Sequence, residues 1–298
     1  MSSRNIALIL AFLAALIYGV SFTIAKEVMP LYIKPYGFIL LRVIGATLLF
    51  WLISFFAKKE KIERQDYFRI CLAALFGASL NMLTFFKGLS LTTPISASVI
   101  MLTTPILVLV LSTLILKEKV TILKIIGIFI GLTGAFFLIV YGQDMASGKN
   151  TILGNLLVFV NASIYSLYLI IVKRLTDKYH PLTLVKWIYS FGLLIVLPFG
   201  LSELQEIQWQ QIPINIYWKI AFIVIFTTFL TYLFNLFALT KLKPTTLSVF
   251  IYLQPVIATV YALITKSDTL NMVKIIATLL IFTGVYIVTM TNRNKQIK

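Results

Sequence analysis

The chain has 298 residues, of which 60% are hydrophobic and only 12% are charged, with a formal net charge of +16. Soluble domains are about 45–50% apolar and about 25% charged, so this composition excludes an ordinary soluble domain and indicates a membrane protein. The basic residues lie in short loops and form no basic face, which argues against a nucleic-acid partner. A single cysteine and a single histidine exclude a disulfide framework and a Cys/His metal site, and we expect no cofactor.

Ten apolar runs are each long enough to cross a membrane as a helix, which takes about 20 residues. We interpret the first run as a retained anchor helix rather than a cleaved signal peptide, because nine further runs follow it. The sequence therefore predicts an all-α integral membrane protein with spans near 5–24, 37–57, 70–88, 94–116, 122–141, 152–172, 182–201, 218–239, 245–265 and 272–290.

Lysine and arginine placement predicts the orientation of these spans. With the N-terminus in the cytoplasm, seventeen of these residues fall on the cytoplasmic side and seven on the other. Cytoplasmic loops are enriched in positive charge, so both termini are predicted to be cytoplasmic. The short loops favour a multi-pass protein of a bacterial inner membrane, with the lipid bilayer as a partner.

The second half of the chain repeats the first. A gap-free shift of 150 superposes Leu89 on Leu239, Pro94 on Pro244, Ser98 on Ser248, Pro105 on Pro255 and Gly134 on Gly284, and a shift of 147 superposes Tyr18 on Tyr165 and Lys26 on Lys173. The sequence thus predicts two five-helix repeats, residues 1–142 and 151–292. Because five is odd, the second repeat is inverted, and inverted repeats bind substrate near the middle of the membrane.

Two of the repeated prolines lie deep inside spans. Pro105 and Pro255 each remove a helical hydrogen bond and clash with the carbonyl four residues back, at Met101 and Ile251. A carbonyl freed in this way must face protein or a water-filled cavity. We predict a kink at each proline that acts as a hinge; the alternative is a static kink that only improves packing.

Residues 87–139 carry a family resemblance. They read KGLSLTTPISASVIMLTTPILVLVLSTLILKEKVTILKIIGIFIGLTGAFFLI, with a proline in the fourth span, the turn Lys117-Glu118-Lys119 and glycines in the fifth span. With ten spans in two inverted halves, this pattern resembles the drug/metabolite transporter superfamily, in its EamA-type branch. The resemblance implies a central cavity lined by spans 1, 3, 4, 6, 8 and 9 and reached alternately from each side. Arg42 resembles an arginine often found in the second span of that family.

Polar and aromatic residues on the inner faces of the spans are candidates for binding a small-molecule substrate. Small-molecule pockets combine apolar and aromatic walls with a few hydrogen-bonding groups. Any one of these residues could instead make an ordinary hydrogen bond between helices, worth about 0.6 kcal/mol on average. The candidates are Tyr18, Ser21, Asn81, Phe85, Met101, Asn161, Tyr165, Tyr168, Thr231, Asn235 and Tyr252.

Two charged residues are candidate gates or charge partners. Arg42 lies about one to two turns from the outer end of span two, near residue 37, and its side chain is expected to snorkel to the membrane interface there. Binding of a substrate carboxylate or of a helix C-terminal carbonyl are the alternatives for Arg42. Glu118 forms either a solvated turn at a helix end or a gate that pairs with cytoplasmic lysines.

A stripe of small residues marks span five. Gly127, Gly131 and Gly134 let another helix approach closely. We expect that helix to be span ten, with a second subunit as the alternative, so the sequence leaves monomer and homodimer open.

The placement of the acids bears on mechanism. All ten lie in loops or at helix ends, whereas a proton-coupled exporter of organic cations usually needs a carboxylate within the membrane. We therefore predict an alternating-access transporter that exports or exchanges neutral or zwitterionic metabolites such as amino acids. An enzyme is not expected, because no acid pair, Ser–His pair or metal cluster can be assembled. The alternative is a lipid flippase or a sensory membrane protein of the same fold.

Overall fold

The computed structural model describes residues 2–55, 60–116, 121–141 and 150–293, and within these ranges all regular secondary structure is helical. Apolar side chains cover much of the exterior. Phe129, Phe136 and Trp218, for example, are more than 60% exposed. Helices that satisfy their own backbone and present apolar side chains outward are what a lipid bilayer requires. The prediction of an all-α membrane protein is confirmed.

In the described residues, each of the ten predicted spans contains a helix, which in the fourth and ninth spans consists of two segments. Eight of them are long and apolar enough to cross a membrane, and the fifth and tenth contain shorter apolar stretches, Ile125–Tyr141 and Met272–Gly284. Several helices exceed the predicted span because their last turn is polar, as at Lys173 and Arg174. The helices are α1 (Ser3–Val28), α2 (Pro35–Ser54), α3 (Arg64–Leu91), α4 (Pro94–Met101 with Thr104–Leu116), α5 (Ile122–Tyr141), α6 (Thr151–Thr176), α7 (Pro181–Gln205), α8 (Ile214–Leu239), α9 (Pro244–Val249 with Leu253–Ile264) and α10 (Met272–Arg293).

Prolines define where four helices begin. The first residues of α2, α4, α7 and α9 are Pro35, Pro94, Pro181 and Pro244. Proline suits this position because its φ angle is already helical and it has no N–H that needs a partner. At α2 and α4, the side chains of Glu203 and Asp268 accept hydrogen bonds from backbone N–H groups of the first turn. These acids therefore connect the last turn of α7 to the start of α2, and the loop before α10 to the start of α4.

Helices α4 and α9 are interrupted just before Pro105 and Pro255, so the predicted kinks are confirmed. A two-residue turn separates the segments of α4, and a 3-10 turn, Phe250–Tyr252, separates those of α9. The chain tightens here because proline cannot donate an N–H and its ring excludes the regular helical path. Both prolines are buried. Their role as hinges stays a prediction.

Helices α3 and α8 contain wide π-helical turns at repeat-equivalent positions, Ala74–Ser79 and Ile223–Leu230. In each turn a hydroxyl bonds the carbonyl five residues back: Ser79 Oγ donates to the Ala74 oxygen at 3.1 Å, and Thr228 Oγ1 to that of Ile223 at 2.8 Å. Such turns change which residues face inward and are frequent at functional sites. Hydrophobic periodicity does not reveal them, and the sequence predicted neither.

Glycines hold α5 against α10. A Cβ atom on Gly284 would lie 2.4 Å from the Gly131 nitrogen and 2.5 Å from the Gly127 oxygen, and one on Gly134 would lie 3.0 Å from the Ala277 oxygen. The two backbones are therefore in contact, which larger side chains would prevent. The prediction that the glycine stripe of span five packs on span ten of the same chain is confirmed.

The other helix contacts follow the repeat. Helix α2 packs on its equivalent α7, α1 packs on α8 and α9, and α6 packs on α3 and α4. If each helix is replaced by its repeat equivalent (α1 by α6, α2 by α7, α3 by α8, α4 by α9, and the reverse), the same contacts result. Two inverted five-helix repeats require this symmetry. We call the membrane face at which α1 begins the N-terminal face, and the other the opposite face.

Repeated lysines bond helix C-termini on both faces. Lys26 Nζ donates to the carbonyls of Leu89 and Ser90 at the end of α3, at 3.0 and 2.7 Å. Its repeat equivalent, Lys173, donates to the Leu239 carbonyl at the end of α8, at 2.9 Å. A cation is favoured there because the helix dipole leaves negative charge on the last carbonyls. This shared contact explains why both lysines occur at the same repeat position.

Candidate functional site

A cavity of about 70 Å³ lies where the two halves meet. Helices α1, α3, α4, α6, α8 and α9 contribute to its wall, as the family resemblance implies, and α2 adds Arg42. Most of these side chains are buried, so the cavity is inside the bundle. Its wall consists of Tyr18, Ser21, Phe22, Arg42, Asn81, Met82, Phe85, Phe86, Met101, Asn161, Tyr165, Thr227, Tyr232, Ile251 and Gln254.

Most of the predicted binding residues lie on this wall. Asn235 lies instead on a smaller adjoining cavity of about 10 Å³, which shares several residues with the first. Their role in binding a substrate stays a prediction. The predicted residues on the main wall are Tyr18, Ser21, Asn81, Phe85, Met101, Asn161 and Tyr165.

Three predicted residues are not on either wall. The ring of Tyr168 packs against the π-helical turn of α3, at Gly77. The hydroxyl of Thr231 donates to a carbonyl of its own helix, and Thr231 is fully buried. The ring of Tyr252 packs on Phe282 of α10, with centroids 6.0 Å apart. Helical spacing identified the correct helices for these residues, but contacts with other helices, or within its own helix for Thr231, keep the side chains off the cavity walls.

The sequence prediction missed four wall residues with an aromatic or thioether side chain. Each lies one helical turn or one residue from a predicted candidate, so the inward arc of each helix is wider than the single row that was chosen. A wider arc, applied to the same helices, would have included these residues. They are Phe22, Met82, Phe86 and Tyr232.

Hydrogen bonds between wall residues join the two halves. Ser21 Oγ and Thr227 Oγ1 are 2.5 Å apart, which links α1 to α8. Asn161 Nδ2 donates to the Asn81 carbonyl at 2.7 Å, and Tyr232 donates to Asn81 Oδ1 at 3.3 Å. The same side chains therefore bond neighbouring helices and also contribute polar groups to the cavity wall, while their binding of a substrate stays a prediction.

Arg42 is held inside the wall, with only 2% of its surface exposed. Its Nε donates to Thr228 Oγ1 at 2.9 Å, and its guanidinium carbon lies 3.9 Å from the centroid of the Phe86 ring. Its Nη1 is buried without a hydrogen-bond partner among the described residues. The expectation that Arg42 snorkels to the interface is wrong, because a hydroxyl and an aromatic ring on other helices retain it.

Two titratable residues that the sequence singles out remain, Glu118 and the lone histidine, His180. Glu118 lies outside the described residues. Where the chain is described, no three His, Cys, Asp or Glu side chains are grouped so that they could hold a metal ion. His180 has a structural place at the start of α7, where its Nδ1 accepts the Leu182 N–H at 3.3 Å.

The two faces of the cavity are not covered equally. The first segment of α4, next to the opposite face, is buried at all eight residues. In its repeat equivalent at the start of α9, only Leu247 and Ser248 are buried. The smaller cavity lies on this second side, lined by Ala11, Leu169 and Ser248 among others. The central cavity is therefore covered more completely toward the opposite face.

Polar contacts between the halves reinforce the opposite face. Asp268, from the loop between α9 and α10, accepts the Ile95 N–H of α4 at 2.9 Å and pairs with Lys274 at 2.8 Å. Both partners of this ion pair are almost fully buried. Thr92 donates to Asn155 Oδ1 at 2.5 Å, which joins the loop before α4 to α6. These contacts fasten the second half to the first on this face.

The ten helices of the described residues, in two inverted halves around an internal cavity, have the architecture of inverted-repeat membrane transporters. The model of the EamA-like transporter family matches residues 5–140 and again residues 152–290. The chain therefore belongs to the EamA-like transporter family, and the predicted resemblance is confirmed.

Relatives of the chain are named as transporters. The chain is 28% identical over 271 residues to an uncharacterized transporter of Archaeoglobus fulgidus, which covers 91% of this chain and 94% of that protein. It is 26% identical to the uncharacterized transporter YyaM of Bacillus subtilis, over 76% of this chain and 74% of the relative. The uncharacterized inner membrane transporter YicL of Salmonella typhimurium is 25% identical, with 68% and 69% covered.

A solved crystal structure has the same fold. It superposes with a TM-score of 0.67 over 97% of this chain and 98% of the other, at 17% sequence identity. At this identity the likeness extends to the fold alone.

Proposed function

We propose that the chain carries small neutral or zwitterionic metabolites, such as amino acids, across the membrane by alternating access. The observation that carries this proposal is the cavity at the interface of the two halves, which combines aromatic and apolar walls with a few polar groups. Its volume of about 70 Å³ is about half that of a cavity of roughly 150 Å³ that holds benzene, so a solute such as an amino acid must widen it. Widening at a boundary between two halves is what alternating access provides.

The unequal cover of the two faces supports alternating access. The opposite face is closed by buried contacts around Asp268, whereas the start of α9 is partly exposed. Because the halves are equivalent, the reverse arrangement would close the N-terminal face and open the other. We assign the halves to residues 1–142 and 151–292, joined at the loop between α5 and α6.

Export or exchange at a bacterial inner membrane, with both termini in the cytoplasm, completes the proposal. The lysine and arginine excess on the N-terminal face supports this orientation. The name of the Salmonella relative, an inner membrane transporter, agrees with this location.

Flux through the cavity can be tested by filling it. Met101 is buried on the cavity wall of α4, and Leu114, on the same helix, is 69% exposed. With purified protein in liposomes and a panel of radiolabelled amino acids and related metabolites, Met101→Trp is expected to abolish counterflow, because indole fills the cavity. Leu114→Trp, which faces lipid, is expected to retain it. Absence of flux for the whole panel in the unmodified protein would overturn the proposal.

Coupling can be tested with a pH gradient. None of the described residues on the cavity wall is Asp or Glu, so no carboxylate there exchanges a proton for a solute. We expect flux to change little when an inward or outward pH gradient is imposed at constant membrane potential. A steep dependence on the proton gradient would contradict this part of the proposal.

A further inference from the structure

The guanidinium of Arg42 has no countercharge in the described part of the protein. Acids on the opposite face have other partners: Glu203 accepts hydrogen bonds from the first turn of α2, and Asp268 pairs with Lys274. Glu27 pairs with Lys219 at 2.7 Å. A buried charge is costly unless an opposite charge or several hydrogen bonds compensate it. The cavity wall therefore contributes one positive charge that the described residues leave unneutralised.

Contacts with neighbouring side chains fix the orientation of the Arg42 guanidinium. Thr228 Oγ1 accepts from Nε at 2.9 Å, and the rings of Phe86 and Phe38 lie 3.9 and 5.9 Å from the guanidinium carbon. These contacts occupy one edge and the face of the guanidinium, and Nη1 has no partner among the described residues. A fixed planar fork with an unoccupied terminal nitrogen suits a carboxylate, which it binds with strong charge-assisted hydrogen bonds.

The single positive charge of the cavity wall favours a carboxylate over a phosphate. Arg42 is the sole Lys or Arg among the described residues that line the cavity. A carboxylate carries a single negative charge and is neutralised by it, whereas a phosphate group carries about −1.5 to −2 and would keep excess charge in a medium of low dielectric constant. The aromatic rings and the hydroxyl and amide groups of the wall suit the rest of such a molecule, including an ammonium group over an aromatic face.

We propose that Arg42 binds the carboxylate of the transported solute, so that the substrates are zwitterionic carboxylates such as amino acids. This inference rests on the proposed transport function and narrows it, because it excludes uncharged analogues. Arg42 lies about 10 Å along α2 from its first residue, at the rise of an α-helix, which places the subsite within the bilayer.

Matched ligands test the inference directly. We would titrate the purified full-length protein with amino acids, their primary amides, the corresponding amines and the corresponding acids without the amino group, and follow the thermal unfolding midpoint and competition for flux in liposomes. At least one carboxylate is expected to bind, and its amide to bind at least tenfold more weakly. Binding of acids that lack the amino group would also support Arg42 as the subsite and would broaden the substrate class.

Variants separate a binding role from a structural one. Arg42→Gln is expected to lower carboxylate affinity at least tenfold, whereas Lys186→Gln, which removes a cation that stacks on Trp51 outside the cavity, leaves it within about twofold. Arg42→Met is expected to leave the unfolding midpoint of the protein without added solute unchanged or higher, because it removes an uncompensated buried charge. A structural arginine would lower this midpoint, which would overturn the inference.

The outcomes distinguish this inference from the proposed function. If amides are carried as well as acids, and Arg42→Gln does not change their flux, transport stands and the carboxylate subsite is overturned. If no acid, amide or amine is carried by the unmodified protein, the proposed function itself fails, and the subsite fails with it.

Discussion

Asp66 illustrates how a single residue fastens the N-terminal face. It is 1% exposed, and its carboxylate accepts from Lys178 Nζ at 2.6 Å and from the Tyr179 hydroxyl at 2.7 Å. Glu63 contacts the same ammonium at 2.7 Å, but its side chain is half exposed. Two acids of unequal burial therefore share one lysine, which makes them a matched pair for mutation.

We expect Asp66→Asn to lower the free energy of unfolding by about 1.5–3 kcal/mol, since it weakens charge-assisted hydrogen bonds at a buried site. Glu63→Gln is expected to have a smaller effect, because an exposed ion pair is screened by solvent. Thermal or denaturant unfolding of the detergent-purified variants provides the measurement. Equal losses in the two variants would contradict the importance of burial here.

The same cluster predicts how stability depends on pH. Hydrogen bonds to Asp66 and Glu63 raise the pKa of Lys178, and the hydrogen bond from Lys178 lowers the pKa of Glu63. The stabilisation of the folded protein by Lys178 is fully present below the ordinary lysine pKa, and it is lost as the pH rises through the raised pKa of Lys178. The stabilisation by Glu63 is present above the ordinary carboxyl pKa and is lost as the pH falls through its lowered value. Unfolding midpoints should therefore show no change from these two groups between pH 6 and pH 8.

At the scale of helices, the contact between α5 and α10 depends on the absence of a side chain. Gly284→Ala would place a Cβ atom 2.4 Å from a backbone nitrogen of α5, which cannot move aside as a side chain does. We expect a loss of about 1–3 kcal/mol, as for other overpacked interfaces. Thr283→Ala, at the neighbouring exposed position, should stay within about 0.5 kcal/mol in the same unfolding measurement.

The interruption of α9 predicts a kinetic effect. Pro255→Ala restores a backbone donor and permits a straighter, stiffer helix, so flux should fall on the order of threefold to tenfold while the unfolding midpoint changes little. Pro198→Ala is the control, because Pro198 is also inside a helix but is exposed on α7. Unchanged flux in Pro255→Ala would leave this kink as a packing feature; Pro105→Ala tests the equivalent kink in α4.

The sequence predicted the helices well because a membrane imposes one rule, an apolar run of sufficient length, on each of them. The repeat also emerged, since prolines and glycines tolerate few replacements at kinks and close contacts. The π-helical turns of α3 and α8 did not emerge, because they depend on backbone register. Arg42 was misplaced for a related reason: its position depends on Thr228 and Phe86, which belong to helices distant in sequence.

At the scale of the whole molecule, each half supplies the same parts in opposite orientation. Lys26 and Lys173 bond equivalent helix ends, and α4 and α9 break at equivalent prolines. The halves differ mainly in exposure, with the start of α4 buried and the start of α9 partly exposed. A symmetric scaffold whose two faces are unequally covered agrees with the alternating access proposed above.

The central claim is that the cavity faces one side of the membrane at a time. The background is Cys71→Ser. Ser98→Cys or Ser248→Cys then places a reporter thiol at equivalent sites of α4 and α9. Thr92→Cys with Asn155→Cys, at two side chains that are hydrogen-bonded to each other, allows a disulfide that holds the opposite face closed. With an impermeant maleimide applied from each side, we predict that forming the disulfide stops flux and prevents labelling of the position-98 thiol from the opposite face. Labelling of the position-248 thiol from the N-terminal face should persist. Continued flux with the disulfide formed would contradict the account.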